Sequence, residues 1–361
     1  MRKHYIDNIR WVTLIIVVIY HVFYMYNAEG VLGGLGKITN LSVQYYDIFQ
    51  YLVYPWIMPL LFVVSGISSR LYLEQHSAKD FIKSRSLKLL VPSTIGLLVF
   101  QFIQGYVSMS IGNAFEGLEA AGLPTPAIYL IMVASGSGVL WYMHLLWIYC
   151  LVLLLIRKIE KGKLLAAGAK TPLWLIPFFI FPVWGAAQIL NTPIVSVYRF
   201  AFYFVFFILG YYVFSNDEVI EKLKKPAILL IIIALALCIS FAILYFGQNY
   251  ADKPINRSFL YSLCAYAASL AMLSAFARFG DFSNAFTSWM SSHSFGLYVF
   301  HYLGISTVAL LLAKPELVPA PVSYILSFIA AFVFGYGLYA IISRIPFFRW
   351  AVLGIKKKGK K

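Results

Sequence analysis

Charge is what this sequence has least of. Asp, Glu, Lys and Arg make up 12% of its 361 residues, about half the share carried by a soluble domain. A chain so poor in charge cannot dress a water-facing surface of this size, which excludes an ordinary soluble protein. Cysteine is scarce too. Cys150, Cys238 and Cys264 all fall inside apolar runs, with no CxxC or zinc-ligand spacing. That excludes a disulfide framework and a thiolate metal centre, and leaves small core residues. No metal is expected. No internal repeat is visible, and no soluble domain is read at either end. A cleavable signal peptide is not expected, because Tyr26-Asn27-Ala28 puts a bulky Tyr where a small residue is wanted.

What fills the sequence is apolar. Hydrophobic residues make up 61% and aromatics 18%, and runs of about twenty apolar residues recur from end to end. Tyr and Trp suit membrane interfaces. The reading is an all-α, polytopic integral membrane protein of about ten transmembrane helices, over 11–27, 48–69, 88–108, 138–156, 172–190, 197–214, 226–246, 258–279, 293–312 and 321–343. One transmembrane domain is expected to take up 1–361, with a basic tail at 344–361. Apolar residues 128–134 are too short to cross, and are expected to dip into the membrane.

The positive charge sorts by side. Of 29 Lys and Arg, all but Lys37, Arg199, Lys253, Arg257 and Lys314 fall in alternate connections and at the two termini. By the positive-inside rule both termini are cytoplasmic. The net charge of +15 is thereby used in topology. Membrane lipids, including anionic ones, suffice as partners for the tail KKKGKK, and no nucleic acid is needed.

Histidine is the informative rarity, at six residues. DNIRWVTLIIVVIYHV, 7–22, carries His21 deep in an apolar segment. At about 100° per residue, Arg10 and His21 lie about 20° apart around a helix, with Asp7 about 40° away on the other side. At about 1.5 Å per residue, His21 sits about 16 Å beyond Arg10. Ionisable residues in spans usually face a bundle interior and mark a site. The alternative is an interhelical hydrogen bond at His21 and a topological anchor at Arg10. A cytoplasmic pair, Arg85 and Lys88 with Ser84 beside them, is spaced to share a helix face. It reads as a berth for anionic phosphate or as another basic loop.

These residues resemble the acyltransferase-3 family of bacterial integral membrane acyltransferases. The Arg10–His21 spacing is similar to its opening motif, and LLFVVSGIS at 60–68 to its apolar run into Ser-Gly. FIKSRSLKLLVP at 81–92 resembles its cytoplasmic arginine motif, LWYMHLLWIYCLVL at 140–153 its tryptophan-rich span, and SFGLYVFH at 294–301 its late Ser-x-x-x-Tyr-x-x-His element. Lys88 departs from the family's second arginine, keeping the charge but losing the fork that grips phosphate.

The resemblance implies a multi-pass protein of the bacterial cytoplasmic membrane. Its expected activity moves an acyl group, acetyl or succinyl, from cytoplasmic acyl-CoA to a hydroxyl of a cell-envelope glycan or glycolipid. Acyl-CoA is then a co-substrate. His21 is the expected base, with Arg10 and Asp7 beside it, and Arg85, Lys88 and Ser84 would bind the donor. Trp141, Tyr142, His144, Arg199 and His301 are weaker acceptor contacts; each also reads as interfacial or interhelical packing. Glu29 and Asp47, flanking the loop 28–47, are weaker still. A transporter or exporter of a polysaccharide or lipid-linked intermediate is the alternative, but should show repeats and matched broken helices.

Overall fold

The computed structural model describes residues 3–190 and 198–356. Among the described residues the regular elements are helices, with no strand. Eight are long and apolar enough to cross a bilayer: α1 (His4–Met25), α2 (Tyr45–Leu73), α3 (Ala78–Ile111), Gly138–Glu160, Ala227–Tyr245, Phe259–Phe279, Ala285–Ala313 and Ala320–Ile342. Between the third and fourth lies a short apolar helix, α4 (Thr125–Ser135). The fourth is α5 (Gly138–Glu160). Then come the shorter α6 (Phe200–Tyr212), and α7 (Ala227–Tyr245), α8 (Phe259–Phe279), α9 (Ala285–Ala313), α10 (Ala320–Ile342) and α11 (Pro346–Leu353).

The number of spans reaches ten only if two bent pairs each count as one. Lys163–Ala169 meets Leu173–Gln188 at 119°, and α6 meets Asp217–Lys224 at 102°. These are the segments expected at 172–190 and 197–214, the second of which begins outside the described residues. Window hydropathy is blind to direction. At α6, Asn216 turns its side-chain amide back onto the carbonyls of Tyr212 and Val213 (2.7 and 3.0 Å). That satisfies the helix end and lets the charged helix 217–224 leave at an angle. With 13 residues, α6 is about 20 Å long, short of the ~30 Å hydrocarbon core.

The chain forms two compact units. One comprises Met1–Ile16, Ile48–Ile82 and Ile148–Ser292. Within it α2 crosses α6 closely, where two glycines answer each other. A Cβ on Gly66 would lie 2.1 Å from the Phe207 carbonyl oxygen, and one on Gly210 2.1 Å from that of Val63. Small residues that let backbones approach are the membrane's substitute for hydrophobic drive. The foot of α1 is tied within this unit. Asn8 donates to the carbonyls of Gly280 and Phe282, both at 2.8 Å, and the Tyr5 amide donates to Asp281 (2.9 Å).

The other unit comprises Val17–Asp47, Lys83–Trp147 and His293–Lys361. Here α4 lies on α3, again through reciprocal glycines: a Cβ on Gly105 would strike the Met132 carbonyl and one on Gly136 that of Gln101. Residues 128–134 lie within that helix, held against α3. Two stretches of α3 are π-helical, Ser86–Leu90 just before Pro92, and Leu97–Gln101. Proline lacks the N–H that would continue the ladder, and wider turns relieve the clash. Part of the segment read as a basic tail is structured: α11 buries Ala351, Val352 and Leu353 and packs on α3. Residues 357–361 lie outside the described residues.

Candidate functional site

His21 and His301 meet. Residues 280 apart in sequence, on α1 and α9, place His301 Nε2 3.1 Å from His21 Nδ1, with ring centroids 5.1 Å apart. His301 is fully buried and His21 half-buried, so His21 is the more accessible residue of the pair. On its other side His301 Nδ1 lies 2.9 Å from the Leu297 carbonyl and 3.0 Å from that of Tyr298. Gln104 on α3 donates to Ser306 (3.1 Å) and Gln101 to the Val299 carbonyl (3.4 Å). The Tyr298 hydroxyl donates to the Val139 carbonyl (2.5 Å). Both glutamines thus pair between helices.

Aromatic rings wall the histidines. Tyr20, Tyr24 and Tyr302 lie 5.2, 5.8 and 5.3 Å from the His21 ring, centroid to centroid. Two of them also reach the loop that follows α1. The Tyr302 hydroxyl donates to the Gly33 carbonyl at 2.7 Å, and the Tyr24 hydroxyl to the Leu32 carbonyl. Gly33 has φ +107, and a Cβ there would lie 2.7 Å from the Tyr24 hydroxyl. The loop is thus fastened to the same tyrosines that enclose the imidazole. Sequence reasoning missed Tyr24 and Tyr302. The i+3 spacing of Tyr24 from His21 was the available signal.

The loop is anchored at its far end by Asp47, fully buried. Asp47 accepts from the Gln44 side chain (2.8 Å) and the Ala28 amide (3.2 Å). Glu29 sits beside it, pushed up from an ordinary 4.5 to about 7, first by burial and then by the Asp47 charge. A carboxyl raised in the fold is held best when protonated. Its contribution is complete below about pH 4.5 and is lost as pH rises through about 7. Amide exchange over 28–47, corrected for intrinsic rates, is expected to quicken between pH 5 and 8. Glu29→Gln is expected to flatten that change, and an unchanged profile in the variant would remove Glu29 from the account.

In the first unit, Arg10 Nη1 pairs with Asp7 at 3.2 Å, and Nη2 donates to Ser68. Asp7 therefore does face Arg10, and Ser68 is the last residue of the apolar run into Ser-Gly. The Arg10 side chain stays 40% exposed. Asp7 also lines a polar cavity of about 270 Å³ with His4, Asn8, Thr287 and several serines.

Ser84, Arg85 and Lys88 sit at the join of α-helical and π-helical turns in α3. Arg85 and Ser84 are half-buried, whereas Lys88 is exposed. Spacing of three gives a shared face in regular α-helix, and the π turn beginning at Ser86 interrupts it. Ser86 accepts from the Trp147 indole (3.0 Å).

The remaining residues are occupied structurally. His144 Nε2 donates to the Ser93 carbonyl at 2.7 Å. The Leu97 amide bonds Thr94 instead of Ser93, which frees that carbonyl for His144. Trp141 and Tyr142 are half-buried, and Tyr142 lies edge-on to Tyr298 at 6.2 Å. Arg199, expected as an acceptor contact or as packing, is 1% exposed. It donates to the Asn256 carbonyl (2.5 Å) and lies over the rings of Phe202 and Tyr261, at 4.0 and 4.7 Å. A buried guanidinium on two aromatic faces is a cation–π anchor.

The second unit thus combines a half-buried imidazole, a buried one behind it and the tyrosines around them. No curated protein and no solved structure matches the chain. A family model described as an acyltransferase domain, of the acyltransferase-3 type, matches residues 3–343.

Proposed function

The chain belongs to the acyltransferase-3 family and is a membrane acyltransferase; from that premise we propose that it moves an acyl group, acetyl or succinyl, from acyl-CoA to a hydroxyl of a cell-envelope glycan or glycolipid. The observation that carries this reading is the His21–His301 pair, a half-buried imidazole backed by a buried one. Attack of a hydroxyl on a thioester needs a base that works near neutral pH, and histidine is that side chain. As the new C–O bond forms, His21 takes the hydroxyl proton. As the C–S bond breaks, the imidazolium returns a proton to the coenzyme A sulfur. Donor phosphates need cationic berths, and Arg10, Arg85 and Lys88 are the proposed ones, with Ser84 as a further donor group and Asp7 orienting Arg10. The protein is placed in the bacterial cytoplasmic membrane with both termini inside. The donor enters from the Arg85 end and the glycan from the end bearing loop 28–47.

Support comes from membranes containing the protein, incubated with radiolabelled acetyl-CoA or succinyl-CoA. Label in glycan that depends on the protein bears the reading out, whereas absence of label with both donors counts against it. Arg85→Ala is expected to raise the donor KM by about tenfold or more, the worth of one charge-assisted hydrogen bond. Unchanged donor kinetics would make Arg85 a topological residue only.

A further inference from the structure

The hydrogen bonds around His301 determine where the protons sit on both rings. Carbonyl oxygens only accept, so His301 Nδ1, facing the Leu297 and Tyr298 carbonyls at 2.9 and 3.0 Å, must carry a hydrogen. The ring is fully buried, where an unpaired imidazolium is strongly disfavoured. It is therefore neutral, and its Nε2 is bare. A bare nitrogen 3.1 Å from His21 Nδ1 accepts a hydrogen, so His21 carries its own proton on Nδ1. The Val17 carbonyl, one turn back on α1, also accepts from the His21 ring; with the hydrogen on Nδ1, Nε2 is the nitrogen left to receive a proton.

We propose that His301 is a positioning residue that fixes the tautomer of His21, so that Nε2 and not Nδ1 receives the acceptor's proton during acyl transfer. This rests on the acyltransferase reading above and adds to it the reacting atom and a second histidine. The chain runs from the α9 carbonyls through His301 Nδ1–H, His301 Nε2, His21 Nδ1–H and finally the His21 Nε2 lone pair. It steers as the carboxylate of a catalytic triad does, by holding one tautomer and orientation. It differs in using a neutral acceptor. When His21 Nε2 gains the hydroxyl proton, the Nδ1–H bond to His301 supports the resulting imidazolium. When the thiolate leaves, Nε2 returns the proton and the starting tautomer is restored. No net proton is gained or lost by the pair.

The geometry also requires that His301 be held. Its acceptor carbonyls sit on its own helix, one turn back, so the ring direction follows from α9 itself. Gln101 and Gln104 fix that helix to α3, and Tyr298 fixes it to the Val139 carbonyl. A mid-span histidine held in this way is built to face one partner.

Two variants separate this role from simple packing. His301→Gln keeps an oxygen acceptor near the Nε2 position, whereas His301→Leu removes the acceptor and keeps much of the bulk. In membranes assayed with acetyl-CoA, His301→Leu is expected to lower kcat by about 10²–10⁴-fold with donor KM unchanged, the range of general-base effects. His301→Gln is expected to recover most of that loss. Equal activity of the Leu variant and the parent, or failure of a folded Gln variant to recover, would overturn the proposal.

A second readout does not depend on transfer. With ¹⁵N-labelled histidine in the full-length protein, His21 is expected as the Nδ1–H tautomer, shifting toward a mixture in His301→Leu. Finding the Nε2–H tautomer at His21 in the parent would overturn the proposal even if acylation is confirmed. Finding Nδ1–H in a protein that transfers no acyl group would leave the tautomer assignment standing and remove the acyltransferase reading.

Discussion

His21→Ala is expected to abolish measurable acyl transfer, a fall in kcat of about 10²–10⁴-fold, the contribution of a positioned general base. The variant should still insert and fold. His21 contributes one hydrogen bond to His301 and aromatic contact with Tyr20, Tyr24 and Tyr302, and α1 keeps its anchors through Asn8 and Tyr5. Loss of a single net hydrogen bond costs about 1 kcal/mol, far less than unfolding requires. Donor affinity should survive, because the proposed donor contacts lie at other residues. The combination to look for is therefore a collapse of kcat with unchanged yield and donor binding. His21→Ala combined with His301→Leu should be no worse than His21→Ala alone, since residues acting as one unit are non-additive. Further loss in the double variant would mean that His301 acts separately.

A large effect on stability is expected at the α2–α6 crossing. Gly66→Ala adds one carbon, and that carbon would stand 2.1 Å from the Phe207 carbonyl oxygen and 2.8 Å from the Tyr211 amide nitrogen. Both are backbone atoms, which cannot swing aside as a side-chain tip can. The helices must separate, and the reciprocal contact at Gly210 against Val63 is lost with them. Overpacking costs about 1–3 kcal/mol and occasionally more. With two backbones meeting head-on, the upper end is expected, and folded protein recovered from detergent should drop severalfold. Gly337→Ala on α10, where a Cβ would meet nothing within 4 Å, is the control and should leave recovery unchanged. Equal tolerance at Gly66 and Gly337 would show that the close crossing is not a source of stability.

Much of this was readable from residue order. Apolar run length marks the helices, because a bilayer demands that each segment satisfy its own backbone. Helical periodicity is a local property, so the alignment of Asp7 and Arg10 on α1 could be anticipated, and they do pair. What escaped was tertiary. His301 is visible in sequence only as a mid-span histidine with two readings; nothing in the intervening 280 residues tells that it stops at His21. The bends beside α6 and before Leu173 escaped because hydropathy averages carry no direction. At Arg85 and Lys88, regular helical spacing was the natural assumption, and the π turn at Ser86–Leu90 undid it. Gly66 stood inside a motif already singled out, yet its partner Gly210 and the reason for both appear only once the helices are side by side.

The most direct measurement is a structure with a non-transferable acyl-CoA analogue bound. The account predicts the thioester carbonyl carbon about 3–4 Å from a hydroxyl or water that itself lies within hydrogen-bond reach of His21 Nε2. A thioester seated against a different residue, with His21 Nε2 out of reach of any attacking oxygen, would contradict it.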